Sequence, residues 1–107
     1  MTKYALIPPV GRPSLVTVED YREIQAHVGG LFCAPWEGPL LDGKASIFAN
    51  DEGIILGMDY NITASMLTKQ HLVGPVLIGG PVDDEGNVTS LTDELRSILL
   101  RWTGCPL

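Results

Sequence analysis

The stretch DEGIILGMDYNITASMLTKQHLVGPVLIGG, Asp51 to Gly80, carries the turn, helix and strand signals that decide the fold of this chain. At its start, the tetrapeptide Asn50 to Gly53 joins polar residues to a glycine that can adopt the positive φ of a tight turn. Apolar residues flank this tetrapeptide on both sides. We therefore predict a β-hairpin that connects a strand from Ala45 to Ala49 with a strand from Ile54 to Leu56.

A helix and a buried strand fill the rest of this stretch. Asp59 can accept hydrogen bonds from the free amides of a helix that runs to about Gln70. Val73 to Ile78 is nearly all apolar and is followed by glycines, which predicts a central strand of the sheet. Pro75 donates no backbone hydrogen bond, so it must lie at the start of a strand or at a sheet edge. The helix side chains that we expect to face inward are Ile62, Met66 and Leu67.

The residues before this stretch predict a hairpin, a helix and one more strand. Tyr4 to Ile7 and Leu15 to Val18 are short apolar runs separated by a turn rich in proline and glycine. Glu19 to Val28 has apolar residues at helical spacing and acids in its first turn, and Gly29-Gly30 can supply a left-handed C-terminal cap. Leu31 to Trp36 is apolar and extended in character, and a loop of exposed composition follows it.

An acidic turn after the stretch leads into a C-terminal helix. Ser90, with Asp93 three residues further on, resembles a capping box in which Asp replaces the usual Glu or Gln. Apolar residues then recur at helical spacing as far as Trp102 and predict one inward face. The members of that face are Leu91, Leu95, Ile98, Leu99 and Trp102.

The predicted order β-β-α-β-β-β-α-β-α, with mostly short connections, indicates an α+β fold in which a mainly antiparallel sheet is covered by about three helices. The chain has 107 residues and an apolar fraction of 45%, which are ordinary values for one globular domain. No internal repeat or linker interrupts it. We expect a single compact domain over residues 1–107.

Charge and hydropathy exclude several kinds of partner. The chain carries 13 acidic against 7 basic side chains, a formal net charge of -6. Nucleic-acid binding is disfavoured, because it depends on Lys and Arg side chains that displace counterions. The longest apolar runs fall far short of the roughly 20 residues that cross a bilayer, and the N-terminus has no signal-peptide pattern. We expect a cytoplasmic protein without a membrane partner.

No residue pattern fixes a metal or cofactor site. Structural zinc needs about four ligands at short paired spacings, and the available cysteines and histidines do not have such spacings. A disulfide is also unexpected, since the two cysteines are far apart and nothing routes the chain to an oxidising compartment. The residues considered are Cys33, Cys105, His27 and His71.

The residue types of a hydrolytic triad occur in Asp59, Ser65 and His71. No G-x-S-x-G elbow presents the serine, and all three lie in or beside one predicted helix, which favours a coincidence of composition. We therefore expect no enzymatic activity and no cofactor.

The order of several landmarks resembles the family catalogued as domain of unknown function 3846. The landmarks are an ALIPP strand and turn, a helix ending in VGG, an N-D-E-G turn, a G-x-x-x-N element, a VGPVLIGG strand and an S-L-T-D helix start. Their family positions here are Gly29 and Gly30, Asn50 to Gly53, Gly57 and Asn61, Gly74 and Pro75, and Ser90 to Asp93. The family is spread among bacteriophages and actinobacteria, so the resemblance implies a small phage or prophage accessory protein. It implies no established activity.

These observations favour a non-enzymatic binding or interaction module that engages a bacterial host protein. Trp36 lies in a loop rich in glycine and proline, and loop aromatics often anchor a partner. We predict that Trp36, Glu37 and Leu40 form a contact loop. The alternative that Trp36 folds back over the edge of the sheet stays open.

A small-molecule-binding or sequestering protein is the alternative function, with a pocket near Tyr60 and Asn61. An amide at a helix entry can bind a ligand. Asn at such positions more often hydrogen-bonds nearby backbone, so a structural role for Asn61 is favoured. The last turn of the C-terminal helix, with Trp102 and the tail to Leu107, also offers a contact for a homodimer.

Overall fold

The computed structural model describes residues 2–29, 45–50, 52, 54–68, 71–81 and 83–107. These residues form four strands and three helices, and the prediction of an α+β fold with a mainly antiparallel sheet is confirmed. The elements, in chain order, are β1 (Thr2–Ile7), β2 (Ser14–Val18), α1 (Tyr21–Val28), β3 (Ser46–Phe48), α2 (Ile62–Thr68), β4 (Val76–Gly79) and α3 (Asp93–Thr103).

The sheet has the strand order β2-β1-β4-β3, and each neighbouring pair is antiparallel. The predicted N-terminal hairpin is confirmed, with Thr2 paired to Val18. The predicted central position of the apolar C-terminal strand is confirmed as well, since Ile78 of β4 pairs with both β1 and β3. Pro75 immediately precedes β4, so its missing N–H removes no bond from the ladder.

Side chains pack on both faces of this sheet. Successive residues of a strand point to opposite faces, so Tyr4 and Ala5 of β1 belong to different buried clusters. One cluster joins the sheet to α2 and α3, and the other joins it to α1. We call the second cluster the α1-side core; its buried members are Tyr4, Val18, Ile24, Val28, Phe48 and Leu77.

The helix ends are capped by short polar side chains and by glycine. Asp20 caps α1 by accepting hydrogen bonds from the amides of Arg22 and Glu23, and Gly29 closes the helix with a left-handed φ of 84°, as predicted. The predicted capping box at Ser90 is wrong. Thr92 caps α3, because its side-chain oxygen reaches the Leu95 amide.

Ser90 has another role, and the face predicted for α3 needs one correction. The hydroxyl of Ser90 accepts a hydrogen bond from the Lys3 amide at 3.0 Å and so joins the start of α3 to β1. Leu91, Leu95 and Leu99 are buried as predicted. Trp102 is 47% exposed, although its spacing places it on the same face, because the last turn of α3 overhangs a cleft instead of the core.

The predicted strand from Ile54 to Leu56 is wrong. These residues form a compact turn in which the Leu56 amide donates to the Glu52 carbonyl and the Gly57 amide donates to the Ile54 carbonyl. The side chain of Asn50 competes with strand pairing, because its Oδ1 accepts a 2.7 Å hydrogen bond from the Glu52 amide and starts the turn. β3 pairs with β4 and not with this segment.

The predicted orientation of α2 is partly wrong. Leu67 is buried, but Ile62 and Met66 are 59% and 54% exposed. Asn61, not Asp59, supplies the side-chain oxygen that caps the first turn, since its Oδ1 accepts from the Ala64 amide. The face toward the core is built from small and polar side chains, which hydropathy alone assigns to solvent. The predicted strand from Leu31 to Trp36 lies outside the described residues.

Candidate functional site

The sequence-predicted site residues fall into two groups. Trp36, Glu37 and Leu40 lie outside the residues that the structure describes. Tyr60 and Asn61 are described and adjoin the start of α2, but they have very different surroundings.

Asn61 is completely buried and its side chain is fully engaged with backbone. Its amide nitrogen donates to the carbonyls of Ile7 and Gly74, both at 2.9 Å, and its Oδ1 accepts from the Ala64 amide at 3.0 Å. Both N–H donors of the amide are thus used within the chain. Asn61 therefore hydrogen-bonds to backbone, which is the structural role favoured from the sequence. Its side chain has no exposed surface that a ligand could contact.

Ser65 is a second polar side chain that joins α2 to the backbone that follows the helix. The Ser65 hydroxyl donates to the Leu72 carbonyl at 3.1 Å and accepts from the Leu72 amide at 2.9 Å. The backbone N–H of Asn61 donates to the same Leu72 carbonyl. Ser65 is therefore bound to backbone on both its donor and acceptor sides, and none of these bonds involves Asp59 or His71.

Tyr60 lies at the surface beside His71. Its side chain is 47% exposed, and the two rings stack with centroids 4.8 Å apart and planes inclined by 27°. Tyr60 also forms an isolated antiparallel bridge with Val73. The pair presents aromatic surface to solvent, whereas Asn61, its neighbour in sequence, faces the interior.

The most exposed apolar segment among the described residues is the turn after β3. Ile54, Ile55 and Leu56, which we call the aliphatic turn, are 70%, 83% and 59% exposed. Three consecutive aliphatic side chains in water are unusual in a soluble domain unless they serve a contact. This surface was not predicted from the sequence, because we expected a strand at these residues. The signal for it is an apolar run without alternation, enclosed by turn residues.

The aliphatic turn is clamped at both ends to the C-terminal end of α1. Before it, the Asn50 amide nitrogen donates to the Val28 carbonyl at 3.1 Å in a buried position. After it, Met58 packs beside Gly29 and Gly74, so closely that a methyl group added at Gly74 would lie 2.6 Å from the Met58 sulfur. These anchors hold the backbone of the turn while its side chains project into solvent.

The charged residues next to the aliphatic turn in sequence are acidic. Glu52 and Asp59 flank it and are exposed. The chain from Ala45 to Thr68 contains no Lys, Arg or His. The turn is therefore an aliphatic surface with an acidic border.

Among the described residues, no three His, Cys, Asp or Glu side chains are grouped closely enough to hold a metal ion. No helix among them is both long and apolar enough to span a bilayer.

Comparison with known proteins gives one match. The model of the family described as domain of unknown function (DUF3846) matches residues 1–103, which confirms the resemblance drawn from the ordered landmarks. No curated protein and no solved structure matches the chain.

Proposed function

We propose that this chain, which belongs to the family described as domain of unknown function 3846, is a non-enzymatic protein-binding module. We further propose that it is an accessory protein of a phage or prophage that engages a host protein in the bacterial cytoplasm. The phage setting of the family supports the second part. The aliphatic turn supports the first part and is the observation that carries the proposal.

A partner that covers the aliphatic turn would remove its three apolar side chains from water, which lowers the free energy. Transfer of a Leu or Ile side chain from water to an apolar environment is favourable by about 2 kcal/mol. The chain could have placed polar residues on a turn that its own backbone bonds and clamps already hold. Three large aliphatic side chains there contribute nothing to the core, since all three are more than half exposed. A protein surface that covers them would recover that free energy.

The border of the turn indicates the chemistry of the partner. Glu52 and Asp59 flank the aliphatic side chains, and the whole chain has a net charge of -6. A complementary surface would combine an apolar pocket with Lys or Arg at its rim, because opposite charges at the rim steer encounter and reject acidic competitors. The partner that fits best is a protein with a basic, apolar-centred surface.

The hydrogen bonds of Ser65, the candidate nucleophile, support the proposal that the module is non-enzymatic. Ser65 has both of its hydrogen-bonding functions bound to Leu72, and the triad types considered in the sequence do not converge on it. The alternative of a ligand pocket at Asn61 gains no support from the geometry, because that side chain holds backbone on every side.

The test is a capture experiment with matched variants. The tagged protein is incubated with actinobacterial lysate, and stoichiometric proteins that survive a salt wash are identified. We expect Ile54→Ser/Ile55→Ser to lose the captured protein. The control Ile62→Ser/Met66→Ser removes two exposed apolar side chains from α2, 59% and 54% exposed, and should retain it. Retention by the turn variant, or no capture by the wild type, would contradict the proposal. A Trp36→Ala/Leu40→Ala variant tests the contact loop separately.

A further inference from the structure

A cleft of about 380 Å³ lies on the α1 side of the sheet, away from the aliphatic turn. Its volume is within the range of small-molecule sites, about 300–1,000 Å³. The floor is apolar and comes from the α1-side core, with Tyr4 and Phe48 stacked at a centroid distance of 5.8 Å and an interplanar angle of 7°. Because these residues lie on β1 and β3, the floor belongs to the rigid sheet.

The rim of this cleft is acidic. Glu19 and Asp20 lie between β2 and α1, both exposed, and among the described residues no Lys, Arg or His lines the cleft. Within the described part of the chain, the Glu19 carboxylate has no hydrogen bond or ion pair. Asp20 uses its Oδ1 to cap α1 and leaves its other carboxylate oxygen outside those bonds.

An independent observation indicates a ligand, namely the hydroxyl of Tyr4. Tyr4 is only 4% exposed and lines the cleft, yet no described residue hydrogen-bonds its hydroxyl. In the described part of the chain, the fully enclosed side-chain polar atoms without a partner are Ser46 Oγ and Arg96 Nε. The Tyr4 hydroxyl is not among them, so the cleft gives it access to solvent. A hydroxyl without a described partner, on a buried ring that lines the cleft, is suited to bind what enters there.

We propose that this cleft binds an aliphatic primary ammonium group. An ammonium has three N–H donors, and the cleft lining includes acceptors for them, among which are the Glu19 carboxylate, the second oxygen of Asp20 and the Tyr4 hydroxyl oxygen. An alkyl chain attached to the ammonium would cover the apolar floor. Burial raises the pKa of Tyr4 above its usual value of 10.0, so the hydroxyl is neutral at pH 7 and its oxygen can accept.

A metal ion fits this cleft less well than an organic cation. Hard divalent ions need six or more oxygen ligands and retain water, whereas most of the floor here is hydrocarbon. The ammonium can come from a free alkyl diamine or from a lysine side chain of a polypeptide, and both sources share the same recognition chemistry. The inference is independent of the proposed protein-binding role, since the aliphatic turn contributes no residue to the cleft.

The test is an NMR titration of the ¹⁵N-labelled protein at pH 7 and constant ionic strength. We expect n-butylammonium chloride to shift the amides of Val18, Asn87 and Val88 saturably, and n-butanol to leave them unchanged. Glu19→Gln/Asp20→Asn should weaken binding about tenfold, the effect of two exposed ion pairs. Asn is as good a helix cap as Asp, so this variant keeps α1. Tyr4→Phe should weaken binding about threefold through one hydrogen bond.

The control for lost charge is Glu52→Gln/Asp59→Asn, which removes the same two charges at a distance from the cleft and should bind n-butylammonium as the wild type does. An equal loss in this control, equal shifts with n-butanol, or no saturable shift would overturn the proposal. Titration with 1,5-diaminopentane and with Nα-acetyl-lysine methylamide assigns the source. Tighter binding of the diamine indicates a free amine, and tighter binding of the lysine derivative indicates a polypeptide; either order supports the ammonium site.

Discussion

Asn61 joins three parts of the backbone through one side chain. It bonds to the end of β1 at Ile7, to the residue pair before β4 at Gly74, and to the first turn of α2 at Ala64. All of these bonds are buried, so each group left unpaired would pay its desolvation cost without compensation. This explains why a polar residue with no exposed surface occupies the helix entry.

Replacement of Asn61 should therefore destabilise the protein strongly. We expect Asn61→Ala to lower the free energy of unfolding by about 3 kcal/mol or more, from the lost cap and the unpaired carbonyls. Urea denaturation followed by circular dichroism measures the change. Asn87→Ala, at an exposed position, should alter stability by less than about 0.5 kcal/mol. Equal stability of the two variants would show that the Asn61 bonds are dispensable.

The long-range contacts of single residues could not be predicted from the sequence. The position of Asn61 at a helix entry indicated hydrogen bonds to backbone, but it did not indicate which distant residues supply the partners. Ile7 is 54 positions away, and only the folded sheet brings its carbonyl to the amide. Tyr4 is a similar case: a strand pattern predicts a buried ring, while its unpaired hydroxyl in a cleft depends on elements distant in sequence.

Elements whose signals are local were predicted well. The N-terminal hairpin, the left-handed cap at Gly29 and the central strand follow from proline, glycine and continuous apolar runs, and all three are observed. The turn from Ile54 to Leu56 was not predictable from β-propensity, because an Asn50 side chain and a Met58 contact override it. The predicted orientation of α2 is partly wrong for a related reason, since Asn61 and Ser65, which hydrogen-bond to backbone, lie on its inner side with Ala64 and Leu67.

Met58 clamps the aliphatic turn to the segment before β4, and two glycines allow that contact to be measured. Gly57 and Gly74 have nearly equal positive φ values, 72° and 73°. A Cβ added at Gly57 would meet nothing beyond its chain neighbours, whereas one added at Gly74 would meet Met58, which is distant in sequence. We expect Gly57→Ala to cost about 1 kcal/mol of stability through backbone strain alone. Gly74→Ala should cost about 1–3 kcal/mol more, because Met58 must move.

The double variant Gly74→Ala/Met58→Ala separates the two contributions in the same denaturation experiment. Removing the sulfur should recover part of the extra cost, giving a favourable coupling between the two substitutions. If Gly74→Ala and Gly57→Ala are equally destabilising, Met58 does not clamp the turn.

At the scale of the whole molecule, the exposed apolar side chains are concentrated in separate places, and these places determine where a partner can bind. The aliphatic turn is bordered by acids, whereas Trp102 overhangs a different cleft, of about 670 Å³, beside Arg12 and Cys105. Composition predicted a soluble acidic domain, but it could not place these surfaces, because one depends on the Asn50 and Met58 contacts and the other on where α3 ends.

We predict that two copies of the chain meet at Trp102, and Leu100 provides the control. The two side chains are 47% and 45% exposed, but they lie two positions apart on α3 and so on different sides of the helix. We expect sedimentation equilibrium to show a mass that rises with concentration from 11.6 kDa toward twice that value. Trp102→Gln should abolish the rise, and Leu100→Gln should preserve it.

Salt distinguishes this self-association from capture of a basic partner. Two copies with a net charge of -6 repel each other, and screening shortens that repulsion from a Debye length of about 10 Å at 0.1 M salt to about 3 Å at 1 M. A dimer held by Trp102 should therefore strengthen as sodium chloride is raised. Binding of a basic protein at the aliphatic turn should weaken over the same range, since its rim contacts are attractive. A dimer that dissociates with salt would place ion pairs, and not Trp102, at its centre.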